Sequence, residues 1–297
     1  MALATIIAGC DLSTPSDLAI ERAIGLAVLH RARLVLVHAQ TSNAPSTETD
    51  NVIAAQLGEV SAAIHAEETV RLAGKLAEIR ALGLAATLVS RAGPPDEVLT
   101  AAARDEGAEL IVVGTHGHTG VSRFLLGSVA AGTIRHAPCD VLVVRGEPVR
   151  AGFRKPLVAT DFSAEAARAL ARTTDFVEPG APVEAVHAWQ LPAGSWGATL
   201  LGQARFPWST VRDAVLSAAR AQADKLSLAH GGALHVELVQ GAPAAVVTEV
   251  AERGKHDLIV LGAHGNRGFR RFLLGSVAES TVRHAACSVL VVHVAPT

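Results

Sequence analysis

The sequence predicts an α/β protein made of two tandem copies of one domain, each a mainly parallel sheet with helices on both faces. Three observations lead to this prediction. The stretch RFLLGSVA occurs at 123–130 and again at 271–278, 148 positions later in a chain of 297 residues. Residues 91–145 and 239–293 align without gaps and share 29 of 55 residues, so the repeat has the size of a domain. Within each copy, short apolar runs alternate with helical patterns, which is typical of right-handed βαβ units.

The elements of the first copy follow from its patterns in order. LATIIAG at 3–9 is a continuous apolar run, as expected of a strand that is buried on both faces. Apolar residues recur at helical spacing after it, and a long helix is predicted to end before Gly83. The predicted strands are 3–9, 32–39, 84–90, 108–114 and 140–145, and the predicted helices are 16–31, 52–82, 95–106 and one that begins after Gly127.

The second copy repeats this order. Asp161 in ATDFS corresponds to Asp11 in GCDLS, and His187 in VEAVHA corresponds to His38 in LVLVHA. The polar segment RGEPVRAGFRKP separates the copies, so we expect one domain at 1–147 and another at 153–297. The predicted strands are 155–160, 183–189, 234–240, 257–262 and 287–294, and the predicted helices are 163–177, 208–230, 243–253 and one that begins after Gly275.

Composition and charge disfavour several classes of protein. The 26 basic and 28 acidic residues nearly cancel, which gives no general attraction to nucleic acid or to anionic membranes. No apolar run reaches the length of a membrane span, and the N-terminus lacks the basic start of a secretion signal. Cys10, Cys139 and Cys287 have no CxxC spacing and fit a reducing cytoplasm. We interpret them as small apolar residues, with a disulfide or a reactive thiol as the alternative.

A glycine-rich segment follows the fourth predicted strand of each copy. In the first copy it is VVGTHGHTGVSRFLLGSVA, in which Gly114, Gly117 and Gly127 are followed by Ser128. The second copy has the same spacing, with Gly262, Gly265, Gly275 and Ser276. Glycine permits positive φ and lets the backbone approach a ligand closely.

The GSVA that ends this segment is predicted to begin a helix, whose first N–H groups have no internal partner. Gly127, Ser128 and Val129 would then present donors to an anion, most naturally a phosphate, and the Ser128 hydroxyl would contact the phosphate or a magnesium-bound water. The alternative is a loop that needs glycine only to turn, with Ser128 as the helix N-cap.

Two common phosphate loops are absent from the sequence. A Walker loop requires a lysine before the serine, and Gly127 stands at that position. The dinucleotide-binding pattern GxGxxG follows a first strand, and neither IIAGCDLS nor LVATDFS contains it.

The spacing G-x2-G-x9-G-S after a fourth strand, with an aspartate after the first strand and VH near the end of the second, resembles the universal stress protein family. The resemblance covers nearly the whole chain and implies a tandem member with two such domains. It implies Rossmann-like domains with five-stranded parallel sheets of order 3-2-1-4-5. It also implies ATP as the ligand of each domain. Whether Mg²⁺ accompanies the ATP, held by its phosphates, is left open.

The resemblance also implies roles for particular residues. Asp11 and Asp161, each with the two residues before it, would face the adenosine, and an alanine after each strand-two histidine would touch the base. The residues at the end of the fourth strand would border the ribose, and the glycine motif would hold the phosphates. The resulting set is Gly9, Cys10, Asp11, Ala39, Val113, Gly114, Gly117, Gly127, Ser128 and Val129, with Ala159, Thr160, Asp161, Ala188, Leu261, Gly262, Gly265, Gly275, Ser276 and Val277 in the second copy. The family often has Pro or Thr where this chain has Cys10, which leaves affinity at the first site open.

Other residues of the glycine segments have two interpretations. His116 and His264 are structural or solvent-exposed residues in one interpretation and contact phosphate in the other. Neither histidine lies at metal-ligand spacing. Arg123 and Arg271 contact either phosphate or a protein interface. We therefore keep all four in the candidate site and predict no metal ligand among the side chains.

The fifth strands, Val141–Val144 and Val289–Val292, are predicted at a sheet edge, and an apolar edge invites pairing. The family uses this edge for dimerisation, so self-association through it is expected, with the two halves of the chain pairing with each other, and a strand covered only by its own helices is the alternative.

The sequence thus leads to a cytoplasmic ATP-binding protein that acts in stress response or regulation. The glycine segments contain no acidic residue that would orient a water molecule, so we expect little or no catalytic turnover. The rival interpretation is a slow ATP hydrolase or a nucleotide-transferring enzyme on the same fold, with Asp11 or His116 recruited at the phosphates. A third, an interaction module without working sites, is disfavoured by two intact motifs. The partner protein stays open.

Overall fold

A computed structural model describes residues 3–40, 51–115, 126–190, 208–232, 234–265 and 274–293. The chain divides after Gly152 into two compact units. The exact domain limits predicted from the sequence, 1–147 and 153–297, stay a prediction.

The first unit is a five-stranded parallel sheet of order β3-β2-β1-β4-β5. Its central strand, β1, pairs with β2 on one side and β4 on the other, so that Ile7 lies between Val35 and Ile111. Its elements are β1 Thr5–Gly9, α1 Thr14–His30, β2 Arg33–Gln40, α2 Asn51–Ala81, β3 Ala86–Ala92, α3 Pro95–Asp105, β4 Leu110–Gly114, α4 Ser128–His136 and β5 Asp140–Val144.

The second unit has the same parallel arrangement, β8-β7-β6-β9-β10, which is again 3-2-1-4-5 in the order of its own strands. Its elements are β6 Pro156–Ala159, α5 Ala164–Thr173, β7 Glu184–Trp189, α6 Trp208–Ala229, β8 His235–Gln240, α7 Pro243–Arg253, β9 Leu258–Gly262, α8 Ser276–His284 and β10 Ser288–Val292.

The predicted fold class, two tandem Rossmann-like α/β domains, is confirmed. Adjacent residues of the central strands, such as Ile6 with Ile7 and Ile259 with Val260, are fully buried, because helices cover both faces of the sheet. The predicted bounds differ by a few residues in places. The largest difference is α5, which was expected over 163–177 and ends at Thr173.

The early end of α5 has a tertiary cause. Phe176 is fully buried, and its carbonyl accepts a hydrogen bond from the N–H of Phe153 at an N–O distance of 2.9 Å. Glu178 in turn donates its N–H to the carbonyl of Phe153 at 2.8 Å. Residues 176–178 therefore pair with the segment before β6, which a continued helix would prevent.

The segment predicted to separate the copies is held against α1 within the first unit. Arg22 Nη1 donates to the carbonyl of Ala151 at 2.6 Å, and Arg150 forms an ion pair with Glu21. A Cβ atom added at Gly25 would lie 2.6 Å from the backbone nitrogen of Ala151, so glycine permits this close approach. Residues 150–152 thus pack as part of the domain.

Equivalent carboxylates in the two units accept hydrogen bonds from the backbone at the amino ends of β1 and β6. Glu109 accepts hydrogen bonds from the N–H groups of Ala4 and Thr5, and Asp257 accepts them from Arg154 and Lys155. The side chains next to these carboxylates differ, because the second unit has His256 where the first has Ala108.

His256 is a buried titratable group at this end of the second sheet. Its side chain is 1% exposed, its Nδ1 donates to the carbonyl of Lys155 at 3.1 Å, and its Nε2 lies 3.7 Å from Glu184 Oε2. Burial lowers the pKa of His256 from its ordinary value of 6.5, and this outweighs the opposing effects of the Lys155 carbonyl and of Glu184. The folded chain therefore holds this imidazole neutral.

The buried imidazole predicts a pH dependence of stability. A histidine whose pKa is lower in the folded than in the unfolded chain stabilises the fold at pH values above the unfolded pKa. This contribution is lost as the pH falls. Between about pH 7 and about pH 5, wild-type protein should lose more of its free energy of unfolding than His256→Asn, which cannot titrate. Urea denaturation followed by tryptophan fluorescence tests this, because all three tryptophans belong to the second copy. Parallel pH profiles for the two proteins would contradict the assignment.

Candidate functional site

The turn after β6 holds Asp161 at the carboxyl end of the second sheet. The N–H of Thr160 donates to the carbonyl of Val186 at 2.9 Å, which extends the strand pairing by one residue. Asp161 Oδ1 then accepts the N–H of Ser163 at 3.0 Å, and Ser163 Oγ caps α5 by accepting the N–H of Ala166 at 3.1 Å. The carboxylate is therefore fixed at the point where strand becomes helix.

The corresponding turn of the first unit has the same form. Cys10 donates its N–H to the carbonyl of Val37 at 2.9 Å, and Asp11 Oδ1 accepts both the N–H and the hydroxyl of Ser13, at 3.0 and 2.5 Å. The residue after the aspartate is left-handed in both units, with φ of 63° at Leu12 and 61° at Phe162. Such backbone costs about 1–2 kcal/mol for a residue other than glycine and clusters at functional sites.

The two turns differ at the residue before the aspartate. Thr160 Oγ1 accepts the N–H of Phe162 at 3.0 Å. Cys10 occupies the equivalent place and is buried, and burial raises the pKa of its thiol, an effect that the N–H of Leu12 opposes in part. Cys10 is therefore a protonated, buried thiol, as expected of a small packing residue.

The glycine segments begin and end in closely similar ways. The N–H of Gly127 donates to the carbonyl of Thr115, and the N–H of Gly275 donates to the carbonyl of Ala263, both at 2.8 Å. Each glycine is the N-cap of its helix, with φ of −62°. The N–H of Gly127, expected from the sequence to face an anion, is thus already engaged. The first N–H groups without an intrahelical partner belong to Ser128 and Val129 in α4, and to Ser276 and Val277 in α8.

The glycines of the motifs let neighbouring atoms approach the backbone closely. None of those that the structure describes has positive φ. A Cβ at Gly114 would lie 2.6 Å from the carbonyl oxygen of Pro15. One at Gly265 would lie 2.7 Å from Asp161 Oδ2, and one at Gly275 would lie 3.1 Å from the carbonyl oxygen of Ala263. Gly265 therefore allows the start of the glycine segment to lie close to the aspartate turn of the second unit.

A cavity of about 950 Å³ opens where these parts of the second unit meet. Its volume lies near the upper end of the usual range for small-molecule sites. Eleven of the twelve site residues expected for the second copy line it: Ala159, Thr160, Asp161, Ala188, Leu261, Gly262, His264, Gly265, Gly275, Ser276 and Val277. The twelfth, Arg271, lies outside the described residues.

The cavity is lined by apolar and polar groups that come from different elements. Ala188 and Val186 come from β7, and Pro243 and Val247 come from α7, whereas Ser276 begins α8. His264 also lines the cavity, and its Nε2 atom is buried with no hydrogen-bond partner among the described residues. The cavity thus joins an apolar pocket to a helix N-terminus, with Asp161 at its wall.

Sequence reasoning missed several residues that line this cavity. Pro243, Val247 and Gln190 lie outside the motifs, and only the packing of α7 and the end of β7 brings them to the site. His187 was read only as a marker of the second strand, and it also lines the cavity.

In the first unit, the described candidate residues occupy the equivalent ends of strands and helix. β1 ends at Gly9 and is followed by Cys10 and Asp11, Ala39 lies near the end of β2, Val113 and Gly114 end β4, and Gly127 is the N-cap of α4, which begins with Ser128 and Val129. A Cβ at Gly9 would lie 3.4 Å from side-chain atoms of Leu99 and Val113. The candidates His116, Gly117 and Arg123 lie outside the described residues.

The described chain offers no cluster of three or more His, Cys, Asp or Glu side chains able to hold a metal ion. Within the same residues, none of the helices is long and apolar enough to cross a membrane.

Comparison with known proteins agrees with this geometry. The model of the universal stress protein family matches residues 3–145 and again residues 152–293. A protein of Staphylococcus epidermidis, provisionally named a universal stress protein, is 36% identical over 155 residues, which are 52% of this chain and 91% of that protein. A universal stress protein from Methanocaldococcus jannaschii is 47% identical over 68 residues, 23% of this chain and 40% of its own length.

Solved structures share the fold over the whole chain. A universal stress protein from Archaeoglobus fulgidus has a TM-score of 0.67 at 22% identity, covering 97% of this chain and 96% of its own. A functionally unknown protein from Pseudomonas aeruginosa has a TM-score of 0.70 at 18% identity, covering 99% and 94%. With both halves matched by the family model, the chain belongs to the universal stress protein family as a tandem member.

Proposed function

We propose that this protein binds ATP, with one site in each domain, and uses the nucleotide as a stabiliser or switch in a stress response. The observation that carries the proposal is the cavity of about 950 Å³, in which an aspartate turn, an apolar pocket and a helix N-terminus meet. A nucleotide has three matching parts: a hydroxyl-bearing sugar, an apolar base and a chain of phosphates.

Each part of ATP has a chemical counterpart in the cavity. The adenine would pack among Val186, Ala188 and Val247, and the Asp161 carboxylate would accept hydrogen bonds from ribose hydroxyls. The phosphates would lie at the start of α8, where the N–H groups of Ser276 and Val277 and the helix dipole favour anions. The unpartnered Nε2 of His264 supports a further phosphate contact.

The first domain would bind ATP in the same way through Asp11, Ser128 and Val129, since the hydrogen bond from the backbone to its aspartate and the one at its helix N-cap match those of the second domain. Phosphate contacts by Gly117, His116, Arg123 and Arg271 stay predictions from the sequence. Mg²⁺ would be held by the phosphates and by water.

The site favours binding over catalysis. Asp161 lies at the strand end and is engaged by Ser163, at the place we assign to the ribose and away from the terminal phosphate. A slow ATP hydrolase remains the alternative, and repeated turnover of ATP by purified protein would establish it. A cytoplasmic location and self-association through Val141–Val144 and Val289–Val292 also stay predictions.

The proposal is tested by identifying what the protein carries when it is purified. Denaturing the purified protein and separating the released small molecules by chromatography should yield ATP or its diphosphate. Protein that releases no nucleotide and shows no binding of added ATP would overturn the proposal.

A further inference from the structure

The histidine on the second strand of each unit makes the same contact, buried in the first unit and part-buried in the second. His38 Nδ1 lies 2.8 Å from the carbonyl oxygen of Cys10, and His187 Nδ1 lies 2.8 Å from the carbonyl oxygen of Thr160. A carbonyl oxygen only accepts hydrogen bonds, so Nδ1 carries the proton and donates it. In both units the accepting carbonyl belongs to the residue immediately before the aspartate.

This hydrogen bond fixes the peptide plane from which the aspartate projects. The plane is otherwise joined to a strained turn, because the residue after the aspartate has φ of 63° in one unit and 61° in the other. A strained conformation persists only where its surroundings over-determine it, and the histidine supplies a constraint on the strand side of the turn.

We infer that His38 and His187 are positioning residues, which hold the carboxylates of Asp11 and Asp161 in the orientation that binds the nucleoside. The inference rests on the proposed function, since it assigns a role within the ATP site. The role assigned to each histidine acts through the carbonyl oxygen, and the carboxylate makes the assigned contact with the nucleoside, although the His187 ring also lines the cavity.

The surroundings of the two imidazoles indicate that the Nδ1 hydrogen bond is the common element. His187 packs against the ring of Phe162 with centroids 4.4 Å apart, whereas Leu12 stands at that position in the first unit. His38 instead has Glu68 Oε2 3.8 Å from its Nε2, beyond hydrogen-bond distance. Different neighbours hold the two rings, and the bond to the carbonyl is the same.

Calorimetry with two ligands separates this role from a general effect on folding. His187→Leu removes the donor, and His187→Asn keeps an N–H donor close to the position of Nδ1. In the second domain, His187→Leu should weaken ATP binding about tenfold and leave the binding of inorganic tripolyphosphate unchanged, while His187→Asn restores most of the ATP affinity.

Two calorimetric results would overturn the inference by itself. Wild-type affinity for ATP in His187→Leu would do so, and so would an equal loss of ATP and tripolyphosphate. Absence of ATP binding by the wild type would instead refute the proposed function, and the inference with it.

Nitrogen-15 NMR of labelled histidine in unliganded wild-type protein gives an independent check, because both histidines should be protonated at Nδ1. Protonation at Nε2 alone would contradict their role.

Discussion

Replacing Ser276 with aspartate is expected to lower the affinity of the second domain for ATP at least about a hundredfold. Ser276 begins α8 and lines the cavity at the place proposed for the phosphates. Two like charges about 4 Å apart repel by about 4 kcal/mol at an effective dielectric constant of about 20. A hundredfold loss needs about 2.8 kcal/mol, roughly 70% of that energy, since about 1.4 kcal/mol corresponds to a factor of ten.

The same substitution should leave the fold intact, because an acidic residue in the first turn of a helix is stabilising. Ser276→Asn is the matched control, because asparagine has nearly the same size as aspartate and no charge. It should reduce the affinity for ATP far less. Equilibrium dialysis with labelled ATP should find two sites in wild type and one in Ser276→Asp. Two sites in Ser276→Asp, or equal losses in the two variants, would show that no phosphate lies at this helix start.

Replacing Gly114 with alanine is expected to destabilise the first domain by about 2–3 kcal/mol. The new Cβ would lie 2.6 Å from the oxygen and 2.8 Å from the carbon of the Pro15 carbonyl, both backbone atoms in the first turn of α1. Neither β4 nor α1 has room to move, because both pack on the buried centre of the sheet. ATP binding by the first domain should be lost as well.

Gly262 provides the control at the equivalent position of the second domain. A Cβ there would lie 3.1 Å from the His264 carbonyl oxygen and 3.2 Å from Glu165 Cβ, which small shifts relieve. Hydrogen exchange of β1 and β4 amides should accelerate strongly in Gly114→Ala, whereas β6 and β9 amides should change little in Gly262→Ala. Equal effects of the two substitutions would show that the approach of Pro15 is not what requires glycine.

The fold was predictable where local pattern and tertiary packing agree. Strands such as β1 and β4 are buried on both faces, so their sequences are continuous apolar runs, and the repeat then transfers each element to the second copy. The end of α5 was not predictable, because Phe176 leaves the helix to pair with Phe153, a contact that no local signal marks.

The candidate site was predictable from motifs and less so in its details. The resemblance to the family assigned Ser276 and Gly265 to the phosphates together, and the structure adds that Gly265 approaches Asp161. The engaged N–H of Gly127 could not be foreseen, because its acceptor depends on the path of the glycine segment. Val247 and Pro243 reach the cavity only through the packing of α7, which leaves no motif in the sequence.

The central claim, one ATP site in each domain, is tested most directly by calorimetric titration of nucleotide-free protein with ATP. The structure and the repeated motif predict binding of two equivalents per chain, falling to one equivalent in either Ser128→Asp or Ser276→Asp and to none in the double variant. A wild-type titration without heat of binding at several temperatures, or two equivalents that survive both substitutions, would contradict it.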